Sequence, residues 1–290
     1  MSKPDLPSES QSQDKIQFKQ YKMLLQAGQL TTPESFQTFW KIVKTTAKKF
    51  DIGIKMSPNA FESQVREILF FDTADFDLYK NHFIVRLRTP YKNGWACSTP
   101  ELTVKFRHPE FEEAAKINVL PKTSVGVARI KFKEEFLPLR ETLGGMRPIY
   151  SHNCILAMPR VDLALTVQTL RTYFPDIKRA KADKDAPVIM VNDNPVTEIQ
   201  DNIGKLDFGH GVKAKTTVSI WRNRQSGQSI CGEYAFQIKF DDEKDVHPEG
   251  LARADAFYKQ LQLDAYAWVT LNTTKTSLVY EFEKNTSATH

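Results

Sequence analysis

The sequence predicts an α+β fold: a closed antiparallel β-barrel, with helices packed outside and a basic inner wall. Two observations carry this. Segments of strand character outnumber helical ones and do not alternate with them, which speaks against a doubly wound parallel sheet. On several of those strands one face is dominated by lysine and arginine. Like charges opposite one another across a sheet repel, so such an array is easiest to understand with an anion among them.

The elements follow in order. Residues 16–25 read as a strand. Thr32-Pro33-Glu34 then supplies a cap, a proline at the first helical turn and an early acid. Phe36, Phe39, Trp40, Val43, Ala47 and Phe50 recur behind it at helical spacing. Strands are expected at 65–72, 83–89, 101–107, 128–136 and 159–166, and a short helix over 166–174 ends at Pro175. Two more strands follow at 213–222 and 231–240. Leu251, Ala254, Phe257, Tyr258 and Leu261 predict a second long helix, and 266–282 reads as a final strand or hairpin. The stretch 178–186 (KRAKADKDA) is expected to be an exposed loop. Residues 1–14 and 284–290 are polar and expected to be disordered, leaving a single domain over 15–283.

Bulk properties narrow the function. Of the 290 residues, 41% are hydrophobic and 26% charged, as in an ordinary globular chain. A net charge of +5 favours an anionic partner, but it is too small for a dedicated duplex-DNA binder, and no specific nucleic acid is expected. Cys97, Cys154 and Cys231 are far apart and form no CxxC pair, which suggests reduced thiols and no structural zinc site. There is no secretory pattern and no apolar run long enough to span a membrane. The cytoplasm is the expected location, with no membrane partner.

Strand side chains alternate between two faces. In 101–107, Leu102, Val104 and Phe106 oppose Glu101, Thr103, Lys105 and Arg107. In 83–88, Arg86 and Arg88 share a face with Ile84, with Val85 and Leu87 behind. In 130–135, Ile130 and Phe132 oppose Lys131, Lys133 and Glu135. In 231–240, Tyr234, Phe236, Ile238 and Phe240 oppose Glu233, Ala235, Gln237 and Lys239. A polar face on one strand alone is the ordinary solvated side of an antiparallel sheet. Six cations on three neighbouring strands (Arg86, Arg88, Lys105, Arg107, Lys131 and Lys133) point instead to a bound anion. Phosphate suits both guanidinium forks and ammonium groups.

These residues also resemble a family. Phe70-Phe71-Asp72-Thr73 leading to Leu78-Tyr79 is similar to the "Y/F-D-T-x-x-x-x-L" strand and turn of CYTH domains, the triphosphate tunnel metalloenzymes. The paired arginines of Phe83-Ile84-Val85-Arg86-Leu87-Arg88 follow as they do there. Leu102-Thr103-Val104-Lys105 resembles the family's "L-T-x-K", and Lys131-Phe132-Lys133-Glu134-Glu135 its "K-F-x-x-E". Residues 65–136 carry the likeness; Glu233-Tyr234-Ala235-Phe236-Gln237-Ile238-Lys239 matches a later acidic strand by order.

The resemblance implies an eight-stranded antiparallel barrel with polar residues inside. It further implies a triphosphate or polyphosphate ligand gripped by Lys and Arg, and one or two Mg²⁺ or Mn²⁺ ions held by glutamates. The implied activity is that of a metal-dependent phosphohydrolase. Lys22, Lys215, Arg222 and Lys239 join the six cations as candidate phosphate contacts. The sequence departs from the family at its first strand, where "E-x-E-x-K" becomes Phe18, Gln20 and Lys22. In the late strand Gln237 and Lys239 stand where acids are expected. Glu233 and Glu135 remain as the inward acids that would hold a metal.

Two other readings use the same residues. One is a non-catalytic binder or sensor of a phosphorylated ligand; the other is a protein- or RNA-interaction module presenting a basic outer sheet. Gly209-His210-Gly211 reads as a turn, not a dinucleotide fingerprint. The six histidines show no HxxxH spacing and no carboxylate in a zinc-like pattern. His152 beside Cys154 lacks a third orienting group for nucleophilic catalysis. Trp221 lies on the face of Lys213 and Lys215, where a packed aromatic is expected.

Overall fold

The computed structural model describes residues 15–122, 126–157 and 165–282. In chain order its strands are β1 (Phe18–Leu25), β2 (Gly53–Met56), β3 (Gln64–Asp72), β4 (Phe83–Lys92), β5 (Trp95–Ala96), β6 (Glu101–His108) and β7 (Val127–Pro138). They continue as β8 (Met146–Ala157), β9 (Leu165–Thr166), β10 (Pro187–Met190), β11 (Val196–Asp207), β12 (Lys213–Asn223) and β13 (Ser229–Lys239). The helices are α1 (Pro33–Lys48), α2 (Asp77–Lys80), α3 (Phe111–Ala115), α4 (Val167–Tyr173), α5 (Pro248–Asp264) and α6 (Lys275–Tyr280).

Nine strands pair in a ring, in the order β1–β7–β8–β6–β4–β3–β11–β12–β13 and back to β1. The barrel is therefore closed, which removes every exposed edge from the ring. It has nine strands, not the eight that the resemblance implies. An odd ring cannot alternate direction all the way round, so at least one parallel pair is forced. That pair is β1–β7, registered from Phe18↔Lys133 to Tyr21↔Phe136. Every other ring pairing is antiparallel.

Strands β8 and β11 were not expected. In β8 the run Ser151-His152-Asn153 is buried and polar on both faces, so no apolar alternation marks it. In β11 the ladder breaks register at Asn202/Gly204, and Gly204 there lies too close to the Lys55 carbonyl to carry a Cβ. Most of the expected strand 159–166 lies outside the described residues, as do the two polar termini. The segment 178–186 is only partly a surface loop, since Ala180 and Ala182 are buried.

The helices lie where their apolar stripes require. Phe36, Phe39, Trp40, Val43 and Ala47 of α1 join Phe257, Tyr258 and Leu261 of α5 against the outward side chains Tyr21, Met23, Val218 and Phe236. On another flank Leu170 of α4 and Leu78 of α2 cover Val85, Leu87, Val104, Phe106 and Phe132. Residues 266–282 are not a hairpin. A short 3-10 turn at Tyr266–Trp268 leads to α6, whose start is fixed by a reciprocal Thr274–Ser277 capping box. Val279 and Tyr280 of α6 pack on Ile68, Phe70, Ile84 and Trp221. These strand positions share the parity of inward Arg66 and Arg86, so α6 forms an apolar plug at one end of the bore.

The Phe-Asp-Thr turn anchors that plug. Buried Asp72 accepts from the backbone N–H groups of Thr73, Leu78 and Tyr79 at 2.7–2.9 Å and from the Tyr280 hydroxyl at 3.0 Å. The Tyr79 and Tyr280 rings stack at 4.1 Å. One carboxylate thus orients the arginine strand that follows and ties α6 to it.

Candidate functional site

The barrel encloses a cavity of about 490 Å³ whose wall carries twelve Lys and Arg residues and three Glu. The whole chain is only +5, so everything outside this wall is net acidic. The positive charge is concentrated in the bore.

Eight of the ten expected phosphate contacts line it: Lys22, Arg86, Arg88, Lys105, Arg107, Lys131, Lys133 and Lys215. The other two do not. Arg222 alternates to the outer face beside inward Trp221, and its guanidinium donates to the Thr31 carbonyl at 2.7 Å. Lys239 keeps inward parity but is exposed at the last rung, opposite Phe18, beside a second hollow that it shares with Lys131 and Arg129. A basic outer sheet of the kind an interaction module needs is not formed by these rows, because they face inward. Sequence reasoning also passed over Arg66, Arg140, Arg147, Glu198 and Lys275 on the wall. Arg66 carried a signal, two residues before Ile68 in an expected strand; Glu198 and Lys275 lie in elements not foreseen.

The six cations are not on three adjacent strands. β4 and β6 are neighbours, but β8 lies between β6 and β7. Its Asn153 stands opposite both Lys105 and Lys131, so a neutral amide separates two ammonium groups. This is how the sheet tolerates the charge before any ligand is considered.

The three glutamates are all engaged by cations. Glu135, 1% exposed, accepts from Lys22 at 2.8 Å, Lys105 at 3.2 Å, Arg107 at 3.0 Å and the Ser151 hydroxyl at 2.8 Å. Burial alone would raise its pKa, but Lys105, Lys22 and Arg107 outweigh it and hold the carboxyl well below the usual range. Glu198 accepts from Arg66 at 2.8 Å and from the Trp221 indole at 2.9 Å, with Arg88 at 3.7 Å and Lys275 at 3.6 Å. Burial opposes its ionisation too, and Arg88, Lys275 and Arg66 again prevail, lowering its pKa. Glu233 pairs with Lys275 at 3.1 Å.

Other cations of the bore have no such partner. Among the described residues no carboxylate lies within ion-pair distance of Arg86, Lys131 or Lys133. Lys133 donates to two neutral amides, Gln20 at 3.0 Å and Gln237 at 2.8 Å, which face each other across β1 and β13. The rings and ammonium groups of Phe18, Lys131 and Lys133 meet at 5.4–5.8 Å. Burial first, then Lys22, lowers the Lys133 pKa to about 7. Arg86 is lowered to about 9 by burial and by Arg88. The Nε–H groups of Arg86, Arg88 and Arg107 are buried with no acceptor among the described residues. Yet Lys22, Arg88, Lys105 and Arg107 side chains remain 13–22% exposed to the bore, so a ligand can reach them.

A carboxylate metal centre at Glu135 and Glu233 does not fit this wall. Both oxygens of Glu135 are taken by cations, and among the described residues no three His, Cys, Asp or Glu ligand atoms converge in the bore. The trio that does gather is elsewhere: His210, His247 and Glu249 lie within 4.8 Å of one another and are exposed. The sequence hid this cluster, because the Gly209-His210-Gly211 turn joins β11 to β12 while His247 caps α5. The His152/Cys154 pair has a packing role: His152 stacks on Phe132 at 4.8 Å, and burial pushes the Cys154 thiol up to about 12. Trp221 is both packed and part of the bore wall.

No family model and no curated protein matches the chain. Solved structures similar to it include a candidate adenylyl cyclase from Hippeastrum, described as having a dominant triphosphatase activity. It is 12% identical, with 95% of this chain and 100% of that one covered and a TM-score of 0.42. A candidate adenylate cyclase from Bacillus halodurans is 11% identical, over 91% and 96%, with a TM-score of 0.39. A protein of Pyrococcus horikoshii is 12% identical, over 90% and 99%, with a TM-score of 0.36. The barrel resembles the CYTH tunnel. Likenesses this distant carry no activity over to this chain.

Proposed function

We propose that this protein binds a phosphorylated small molecule of oligophosphate type inside the barrel, as a binder or sensor. The supporting observation is the imbalance of the wall: twelve cations face three glutamates that are already ion-paired. Like charges so confined are relieved by a multiply charged anion, and charge-assisted hydrogen bonds in a partly desolvated site are strong. Arg86, Lys131 and Lys133 form the free surface of the grip, and Lys22, Arg88, Lys105, Arg107 and Lys215 its flank. The volume lies in the range of ordinary small-molecule sites. A cytoplasmic setting agrees with such a ligand, and no helix among the described residues is long and apolar enough to cross a membrane.

A metal-dependent phosphohydrolase acting on triphosphate, polyphosphate or a nucleoside triphosphate is the second reading. Glu233 favours it, being 17% exposed and paired only with Lys275 among the described residues. Mg²⁺ or Mn²⁺ would then arrive on the phosphates and use Glu233 as its protein ligand. Isothermal titration with inorganic tripolyphosphate and with ATP tests the first reading. Micromolar binding of either supports it, and no heat with any phosphate rules it out. Release of orthophosphate on adding Mg²⁺ or Mn²⁺, lost in Glu233→Gln, would establish the second.

A further inference from the structure

We propose that Lys275 occupies the place of a divalent metal ion between Glu198 and Glu233, so that phosphate binding in this bore needs no metal. The inference rests on the oligophosphate reading for its ligand, but the lysine cage itself does not.

The cage is built from four sides. The Lys275 ammonium lies 3.1 Å from Glu233 Oε1, 3.6 Å from Glu198 Oε1 and 3.2 Å from the Ser219 hydroxyl, and 4.4 Å from the centre of the Trp221 ring. Its three protons thus face two carboxylates and a hydroxyl, with an aromatic face closing the fourth side. The acids stand on β11 and β13 at inward positions flanking β12: Glu198 pairs with Trp221, and Glu233 with Ser219. Two carboxylates that both reach one point are the start of a site for a hard divalent cation. Here a tethered cation already stands at that point. The capping box places Lys275 as the first residue of α6, and Val279 and Tyr280 lock that helix into the bore. An ammonium held by its own chain competes with a metal ion at very high effective concentration.

The remaining wall agrees. Glu135 is saturated by Lys22, Lys105 and Arg107, and the oxygens nearest Lys133 belong to Gln20 and Gln237, which are neutral. The bore therefore presents ammonium and guanidinium groups where a metal would otherwise screen phosphate from carboxylate.

The test compares the wild-type chain with Lys275→Met and with Lys275→Met/Glu233→Gln, the surface histidines being unchanged in all three. Tripolyphosphate titrated in EDTA should bind wild type without any metal, and added Mg²⁺ should not raise the affinity. Mn²⁺ titrated alone, followed by electron paramagnetic resonance, should show a site in Lys275→Met that is absent from wild type and lost in the double variant. Tripolyphosphate binding that appears only with metal overturns the proposal, as does a Glu233-dependent Mn²⁺ site in wild type. A folded Lys275→Met without that site overturns it too. If Lys275→Met does not fold, the two wild-type titrations decide. If tripolyphosphate binds under no condition, the ligand reading fails while the Mn²⁺ arms still judge the lysine cage.

Discussion

Two stretches of one bore handle the same charge in opposite ways. Around Glu135 a single buried carboxylate is shared by Lys22, Lys105 and Arg107. Along Arg86, Lys131 and Lys133 the cations face a hydroxyl, two amides, an aromatic ring and each other. The first arrangement is charge-paired without a guest; on the proposed reading an anionic ligand completes the second. Removing one partner of a buried ion network is far more costly than the network is worth against an apolar wall. Glu135→Gln should therefore lower unfolding stability by about 3–5 kcal/mol, read as a fall in the urea midpoint. A loss below about 1 kcal/mol would mean that the three cations relax into solvent and that the contrast between the two stretches is false.

The second stretch predicts the reverse pattern. Arg86→Met removes a cation that has no carboxylate within ion-pair distance among the described residues, and its Nε–H has no acceptor there to lose. Stability should stay within about 1 kcal/mol of wild type, or rise, while tripolyphosphate affinity falls about tenfold. Saturating ligand sharpens this. At a hundred times Kd it should stabilise wild type by about 2.7 kcal/mol, and at that same concentration Arg86→Met by roughly half as much. Equal stabilisation of both would place the ligand outside this part of the wall.

The cations of both stretches, and Glu135 with them, were legible in the sequence. Arg86, Arg88, Lys105, Lys131 and Lys133 sit on strands whose opposite faces are plainly apolar, so local alternation was enough to assign the inward face. The third acid of the wall was harder. Glu198 lies on β11, where Glu198, Gln200 and Asn202 face inward and find partners such as Arg66 and Trp221 on other strands. No local pattern records such contacts. Lys275 was hidden differently: Leu278, Val279 and Tyr280 have strand propensity, and only packing on Phe70 and Trp221 makes the segment a capped helix. The parallel β1–β7 pair was equally invisible, because it follows from the total strand count and not from any single strand. Fold class was thus readable from strand faces, whereas charge pairing required knowing which strands meet.

The smallest effect expected is also the most specific to Lys133. Its pKa is lowered from 10.5 to about 7, by burial foremost, then by Lys22, Lys131 and Arg86, with Glu135 acting in the opposite sense. In the unfolded chain the group holds its proton up to its ordinary pKa, so the empty protein gains stability from this residue as pH rises from about 7 towards 10.5. An anion beside the ammonium favours the charged form, so binding takes up a proton. Affinity must then fall as pH rises through 7, by roughly fivefold between pH 7 and 8 if the bound state stays protonated. Protonation of the ligand adds its own slope, but it is common to wild type and Lys133→Met, so the difference between their pH profiles isolates the residue. Parallel profiles would mean that Lys133 is already charged in the empty bore, and that Gln20 and Gln237 stabilise the ammonium more than burial disfavours it.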